Sequence, residues 1–203
     1  MPKHPGSLRA EKRPGHARAA VQQPENPGKG ESDMLHIVLH QPEQPGNVGT
    51  IGRSCVCAGA ALHLIEPLGF HMTDRHIRRA GLDYWPRLRV SRHMNYETFL
   101  EEEFEEARKA GSKLWFVTTK ARQTYADVNY GPEDYLMFGK ESAGIPEEIL
   151  VGHPEQCIRI PMAEGERSLN LSNSVSIVLY EAMRQQQFAG LIRTGELHHL
   201  SWN

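Results

Sequence analysis

The chain has 203 residues, a formal net charge of -2 at pH 7 and three cysteines. The length gives about one domain of ordinary size with room for a real core, and the nearly balanced charge excludes a molecule that binds polyanions over its whole surface. Cys55, Cys57 and Cys157 do not make a disulfide framework, and no run approaches a membrane span, so a reducing cytoplasm is the expected compartment.

Residues 1–33 carry six basic side chains (Lys3, Arg9, Lys12, Arg13, Arg18, Lys29) among many prolines and glycines, with no apolar period able to support packing. They read as a disordered basic tail. The tail lacks the continuous apolar segment of a signal peptide. Met34 directly precedes the first strand-like run, so a shorter form starting there is expected as an alternative product. The globular part is placed at 34–190 and a C-terminal extension at 191–203.

From Leu35 onward, short apolar runs alternate with helical patterns. Strands are expected over 35–40, 62–66, 114–118, 135–138 and 157–160, with a weaker sixth over 87–90. Helices are expected to start at Asn47, Thr73, Asn95, Pro146 and Ser172, each with a capping residue or a first-turn proline. Strands alternating with helices imply an α/β fold, a mostly parallel sheet covered on both faces. Arg75, Arg78 and Arg79 share one helix face through their spacing and form a basic patch able to meet phosphates. Tyr84 and Trp85 beside it are candidates for stacking on unpaired bases. The run Glu101-Glu102-Glu103-Phe104-Glu105-Glu106 reads as a solvated acidic helix face without a site role. The eleven histidines are scattered. No HExxH or paired CxxC occurs, and Cys55 and Cys57 diverge on a helix, so no metal site is expected.

Three polar constellations remain. Asn47-Val48-Gly49-Thr50-Ile51-Gly52-Arg53 follows the first strand. There Asn47 is a candidate cap, and Gly49 and Gly52 permit close approach of a neighbouring backbone or ligand. Arg53 is either half of a helix-edge salt bridge or a guanidinium aimed at a phosphate. Phe138-Gly139-Lys140-Glu141-Ser142-Ala143-Gly144-Ile145-Pro146 puts open backbone and Glu141 where α/β sheets bind ligands, but it fits neither a Walker A loop nor a GxGxxG fingerprint. Ile160-Pro161-Met162 and then Ser168-Leu169-Asn170-Leu171-Ser172-Asn173 lead into an apolar helix. Ser and Asn there either cap it or hold a ligand.

Taken together, NxGxxxR, GxExxGxP, and IPM followed by SLNLSNSVSIVLYEAMRQ resemble the three motifs of the SpoU branch of the SPOUT RNA methyltransferases. Ile65-Glu66-Pro67-Leu68-Gly69-Phe70, Arg78 to Tyr84 and Thr118-Thr119-Lys120 extend the resemblance over Met34 to about Gln187. Within the branch the chain is most similar to minimal enzymes that methylate the wobble nucleotide of tRNA. The resemblance implies a C-terminal trefoil knot, an obligate homodimer, and S-adenosylmethionine bound at Val117, Gly139, Ile160, Ser168 and Leu169. It implies transfer of a methyl group to the ribose 2′-hydroxyl of the position-34 pyrimidine in the anticodon stem-loop of tRNA. Arg53 is the residue implied to act on that hydroxyl; because a guanidinium stays protonated, orientation of phosphate and ribose is the expected role. Glu141 and Asn170 stand behind it as proton acceptors or arginine-positioning groups. RNA contacts are expected at Asn47, Lys120 and the patch Arg75, Arg78 and Arg79. The helix from Ser172 to Gln187 is the expected dimer face, with simple core packing as the plainer reading. The same chemistry on another RNA site and a catalytically silent RNA-binding module are the alternatives.

Overall fold

The structure is a computed structural model that describes residues 34–71 and 83–202. The basic tail, the helix expected from Thr73, and with it Arg75, Arg78 and Arg79, lie outside the described residues.

Among the described residues, seven strands form one sheet: β1 (His36–His40), β2 (Ala61–Ile65), β3 (Val90–His93), β4 (Leu114–Val117), β5 (Gln123–Thr124), β6 (Tyr135–Phe138) and β7 (Cys157–Arg159). Their order is β3-β2-β1-β6-β4-β7-β5 and every pairing is parallel. Central strands of such a sheet are covered on both faces and so read as continuous apolar runs; β2 and β6 are buried at every position. Two expectations are corrected. Over 87–90 the chain first makes a 3₁₀ turn, Trp85–Arg87, because Pro86 starts a turn more readily than a strand, and β3 follows at Val90. The two-residue β5 was not expected, having no apolar signal; it borrows its order from β7 through the pairing of Gln123 with Ile158.

Alternation along each strand divides the core. One face carries Ile37, Leu39, Leu62, Leu64, Leu136 and Phe138 against helix α1 (Pro45–Ala58) and the C-terminal helix, whose Val175, Val178, Leu179 and Ala182 are fully buried. The other carries Val38, Ile65, Phe116, Tyr135 and Met137. It is roofed by one continuous helical run: α2 (Tyr96–Phe99), a π-helical turn (Leu100–Phe104) and α3 (Glu105–Ala110). Asn95 caps that run by accepting from the Thr98 N–H at 2.8 Å. A short helix α4 (Glu147–Leu150) follows β6, and α5 (Leu171–Gln185) closes the domain. Cys55 lies in the core, where burial pushes its thiol up to about 12, while Cys57 is exposed. The two diverge as their spacing requires.

The acidic run is not uniformly solvated. Glu105 and Glu106 do pair outward with Arg108 and Lys109. The π-helical turn, however, rotates Glu103 inward, to 3.3 Å from the Tyr135 hydroxyl.

Candidate functional site

Three adjacent strands, β6, β4 and β7, end side by side at Phe138, Val117 and Arg159, and the segments that follow them turn over the carboxyl edge of the sheet. Between them lies a cleft of about 680 Å³, within the size range of small-molecule sites. Its floor is Val117 and Phe138; its walls are Thr118 to Lys120, Gly139 to Gly144, Ile160 with Met162, and Arg167 to Leu171.

The wall after β6 depends on Gly139. A Cβ there would sit 1.9 Å from the Gly144 carbonyl carbon and 2.1 Å from the Ile145 nitrogen, so no other residue fits this loop. The loop closes with the Gly144 N–H donating to the Lys140 carbonyl at 2.8 Å, and Gly144 itself is left-handed, φ +73°.

Glu141 reaches from this loop to the start of α1. Its carboxylate accepts from the Glu43 N–H at 2.8 Å, the Gln44 N–H at 3.3 Å and the Asn47 side-chain amide at 2.8 Å. It therefore satisfies donors that a helix start leaves open and adds negative charge to the positive end of the dipole. Ser142 returns the contact, donating from its N–H (2.9 Å) and hydroxyl (2.7 Å) to Glu43. These bonds hold the half-buried Glu43 carboxyl below the usual carboxylate range, the Ser142 hydroxyl contributing most.

Asn47 is not a helix cap. The N-cap is Gln44, whose side chain makes no capping bond, and Pro45 opens the helix. Pro at the first position tolerates a missing side-chain cap because its own N–H is absent. Asn47, one turn inside, joins the Glu141 loop to the loop after β7: its Nδ2 donates to Glu141, and its Oδ1 accepts from Asn170 Nδ2 at 3.0 Å. Asn170 is a true cap. Its Oδ1 accepts from the Ser172 N–H (2.9 Å), the Ser172 hydroxyl (2.6 Å) and the Asn173 N–H (3.4 Å), so α5 starts at Leu171. Glu141, Asn47 and Asn170 thus form one hydrogen-bonded bridge across the lip of the cleft.

Val117, Gly139, Ile160, Ser168 and Leu169 all line the cleft, as do Asn47, Lys120, Glu141 and Asn170. Lys120 leans over its edge, 3.3 Å from Glu147. Arg53 does not line it. It lies nearly two turns further along α1, exposed, 3.5 Å from Asp83 and 4.5 Å from the centre of the Tyr84 ring. An exposed pair of this kind contributes little stability, about 0 to 1 kcal/mol, and leaves the guanidinium able to exchange partners.

Tyr84 is not a base-stacking surface here. Tyr84 is 2% exposed and donates its hydroxyl to the Gly49 carbonyl, and Trp85 packs half-buried on the core. Gly52 serves these neighbours: a Cβ would meet Leu88 at 3.0 Å and Trp85 at 3.2 Å. Two cleft cations, Lys140 and Arg167, were not among the expected site residues, although their position inside glycine- and serine-bearing loops is the signal that would have found them.

A parallel α/β sheet with a polar cleft over the carboxyl ends of its strands is the place where open α/β folds bind their ligands. Residues 34–180 match the SpoU rRNA Methylase family, and the chain belongs to that family. It is 48% identical over 160 residues to the tRNA (cytidine(34)-2′-O)-methyltransferase of Escherichia coli (strain K12), covering 78% of this chain and 98% of that one. A solved structure described as "Structural insights into the 2-OH methylation of C/U34 on tRNA" is 39% identical, with a TM-score of 0.69, and covers 77% of this chain and 99% of that one. The SpoU methyltransferase AviRb from Streptomyces viridochromogenes, in complex with the cofactor AdoMet, is 26% identical with a TM-score of 0.67, covering 78% of this chain and 60% of that one.

Proposed function

We propose that this protein transfers a methyl group from S-adenosylmethionine to the ribose 2′-hydroxyl of the position-34 pyrimidine in the anticodon stem-loop of tRNA. The observation that carries the reading is the cleft itself. Five positions from three separate segments of the chain, Val117, Gly139, and Ile160 with Ser168 and Leu169, line one cavity in a chain 48% identical to an enzyme of that activity. The residues fit an adenosyl ligand: Val117, Ile160 and Leu169 offer apolar surface to a base, while the Gly139 loop and strand ends offer backbone donors and acceptors. When bound, the cofactor supplies an electrophilic methyl group.

The chain must bring a weak nucleophile to that methyl at about 3 Å and in line. Arg53, exposed and lightly held by Asp83, is the group that orients the target phosphate and ribose and favours loss of the hydroxyl proton. Glu141 and Asn170 already accept from three donors each. That engagement favours a positioning role over proton acceptance, with both fixing the lip against which RNA docks. Lys120 and the patch Arg75, Arg78 and Arg79 supply phosphate contacts, and Asn47 supports the lip from within.

In this reading the chain from β4 to α5 is threaded as a trefoil knot and the protein works as a homodimer through α5, on which Ile177 and Tyr180 remain 36% and 41% exposed. Residues 1–33 are a basic tail and 191–203 an extension. No helix of the described residues is long and apolar enough to cross a membrane; the cytoplasm is the proposed compartment.

The test is incubation with methyl-labelled S-adenosylmethionine and bulk tRNA from cells lacking the activity, followed by mapping of the labelled nucleotide. Label on the 2′-oxygen at position 34 is expected. Label at another nucleotide moves the substrate, and no label in any RNA removes the enzyme reading.

A further inference from the structure

The sheet carries a second polar constellation, on the face turned away from α1 and α5 and remote in chain position from the cleft loops. His36 opens β1, His63 lies within β2 and His93 ends β3. Strand alternation sends all three to the side roofed by the α2-to-α3 run, where His63 and His93 pack on Phe99. The rings lie in a stacked row, with centroids 5.2 Å and then 5.4 Å apart. His36 Nδ1 is 2.9 Å from His63 Nε2, and His63 Nδ1 is 3.2 Å from His93 Nε2. From the roof, the π-helical turn lowers Glu103 until its Oε1 is 3.8 Å from the same His63 Nε2.

An imidazole nitrogen has one site in the ring plane, either a proton or a lone pair. His63 Nε2 nevertheless faces two groups at once, the His36 nitrogen and the Glu103 carboxylate. Without an ion, His36 Nδ1–H can donate to a lone pair on His63 Nε2, while Glu103, which only accepts, takes the Tyr135 hydroxyl. A cation at the centre would instead draw a lone pair from each of the three atoms, which lie close enough together to share it.

We propose that His36 Nδ1, His63 Nε2 and Glu103 Oε1 form a binding site for a divalent transition-metal ion of the zinc type, with solvent in the fourth position. The three donor atoms lie within 4.8 Å of one another. Zinc bonds of about 2.0–2.2 Å in a tetrahedron set ligand–ligand edges of roughly 3.3 Å, and the distances 2.9 Å and 3.8 Å bracket that value. Two imidazoles and a carboxylate suit zinc and its neighbours over magnesium or calcium, which take oxygen ligands.

The surroundings fit. With an ion on Nε2, His63 Nδ1 carries the proton and can donate it to His93 Nε2, 3.2 Å away, an outer-shell partner that fixes which nitrogen of His63 faces the ion. The His36 ring is stacked on Tyr135 at 4.1 Å, and the Tyr135 hydroxyl donates to Glu103 at 3.3 Å. Glu103 is 29% exposed, which leaves an entry path. The ion would tie β1 and β2 to the roof helix, a structural role independent of the methyl-transfer reading.

The test uses the full chain, without an affinity tag, stripped by a chelator and dialysed. Isothermal titration with zinc chloride is expected to give one ion per chain, and cobalt chloride the intense visible bands of a four-coordinate site. Glu103→Gln, which keeps the Tyr135 hydrogen bond and is partly exposed, and His36→Gln should each weaken zinc binding about tenfold or more with unchanged circular dichroism. Should His36→Gln fail to fold, Glu103→Gln decides alone. Absence of saturable zinc binding overturns the proposal. So does binding that both folded variants retain in full, which would place the ion on other side chains such as His198 and His199.

Discussion

The bridge over the cleft and the histidine row beneath the roof helix use similar means for different ends. Both join residues far apart in sequence: Glu141 meets Glu43 across 98 positions, and His36 meets His63 across 27. At the bridge, donors and acceptors match. The Glu141 and Asn170 oxygens each receive several N–H or O–H groups, and most of these donors belong to two helix starts that would otherwise be open. A satisfied network of this kind is scaffolding for the cleft beside it. In the histidine row the match fails. His93 Nδ1 is buried without a partner among the described residues. Unsatisfied buried polar groups are costly, so they ask for an explanation that a matched network does not.

Changes that separate the two regions test this contrast. The largest effect is expected from Gly139→Ala, since its Cβ would overlap backbone at 1.9 Å. S-adenosylmethionine binding should be lost, and equilibrium denaturation should show a cost of about 3 kcal/mol or more. Zinc affinity of the folded fraction should stay within twofold of the parent if the regions are independent. Arg53→Ala should lower methylation about a hundredfold or more, the scale for loss of one group acting on developing charge, with cofactor affinity within twofold by calorimetry. Loss of cofactor binding instead would sink the assignment of Arg53 to the RNA side.

Glu141→Ala strands an amide and two backbone donors, so a loss of about 2 kcal/mol is expected. Glu141→Gln keeps acceptor capacity on one oxygen and should lose about half as much. A turnover for Glu141→Gln within a few-fold of the parent marks the bridge as scaffolding; turnover reduced a thousandfold with stability intact would make Glu141 a proton acceptor after all.

The smallest effect concerns the Glu43–Ser142 contact. The Glu43 carboxyl is depressed when folded. The stability it lends is therefore present above the ordinary carboxylate range and lost as pH falls through its lowered folded value. Ser142→Ala should reduce stability at neutral pH slightly, and the difference from the parent should vanish in acid unfolding curves below that value.

The cleft was largely legible before folding was considered, and the histidine site was not at all. Val117, Gly139 and Ile160 stand at strand ends, which apolar runs and punctuating Gly and Pro mark locally, and parallel α/β sheets gather strand ends on one edge. Asn170 was readable as a cap for the same local reason. Asn47 was misplaced, because Pro45 can open a helix without a side-chain cap and so frees the asparagine to bridge two loops. Tyr84 was misread as a stacking surface because only its packing under Arg53 reveals that it is buried.

By itself, then, the sequence determined the alternation of strands and helices, the parallel sheet and the three loops at its carboxyl edge, since each rests on residues within a few positions of one another. The tertiary structure alone decided which side chains meet across the sheet. His36, His63 and Glu103 share no spacing that any motif would register. They converge because β1 pairs with β2 in a register that sets His36 beside Ala61, and because a π-helical turn rotates one glutamate of an acidic run toward them.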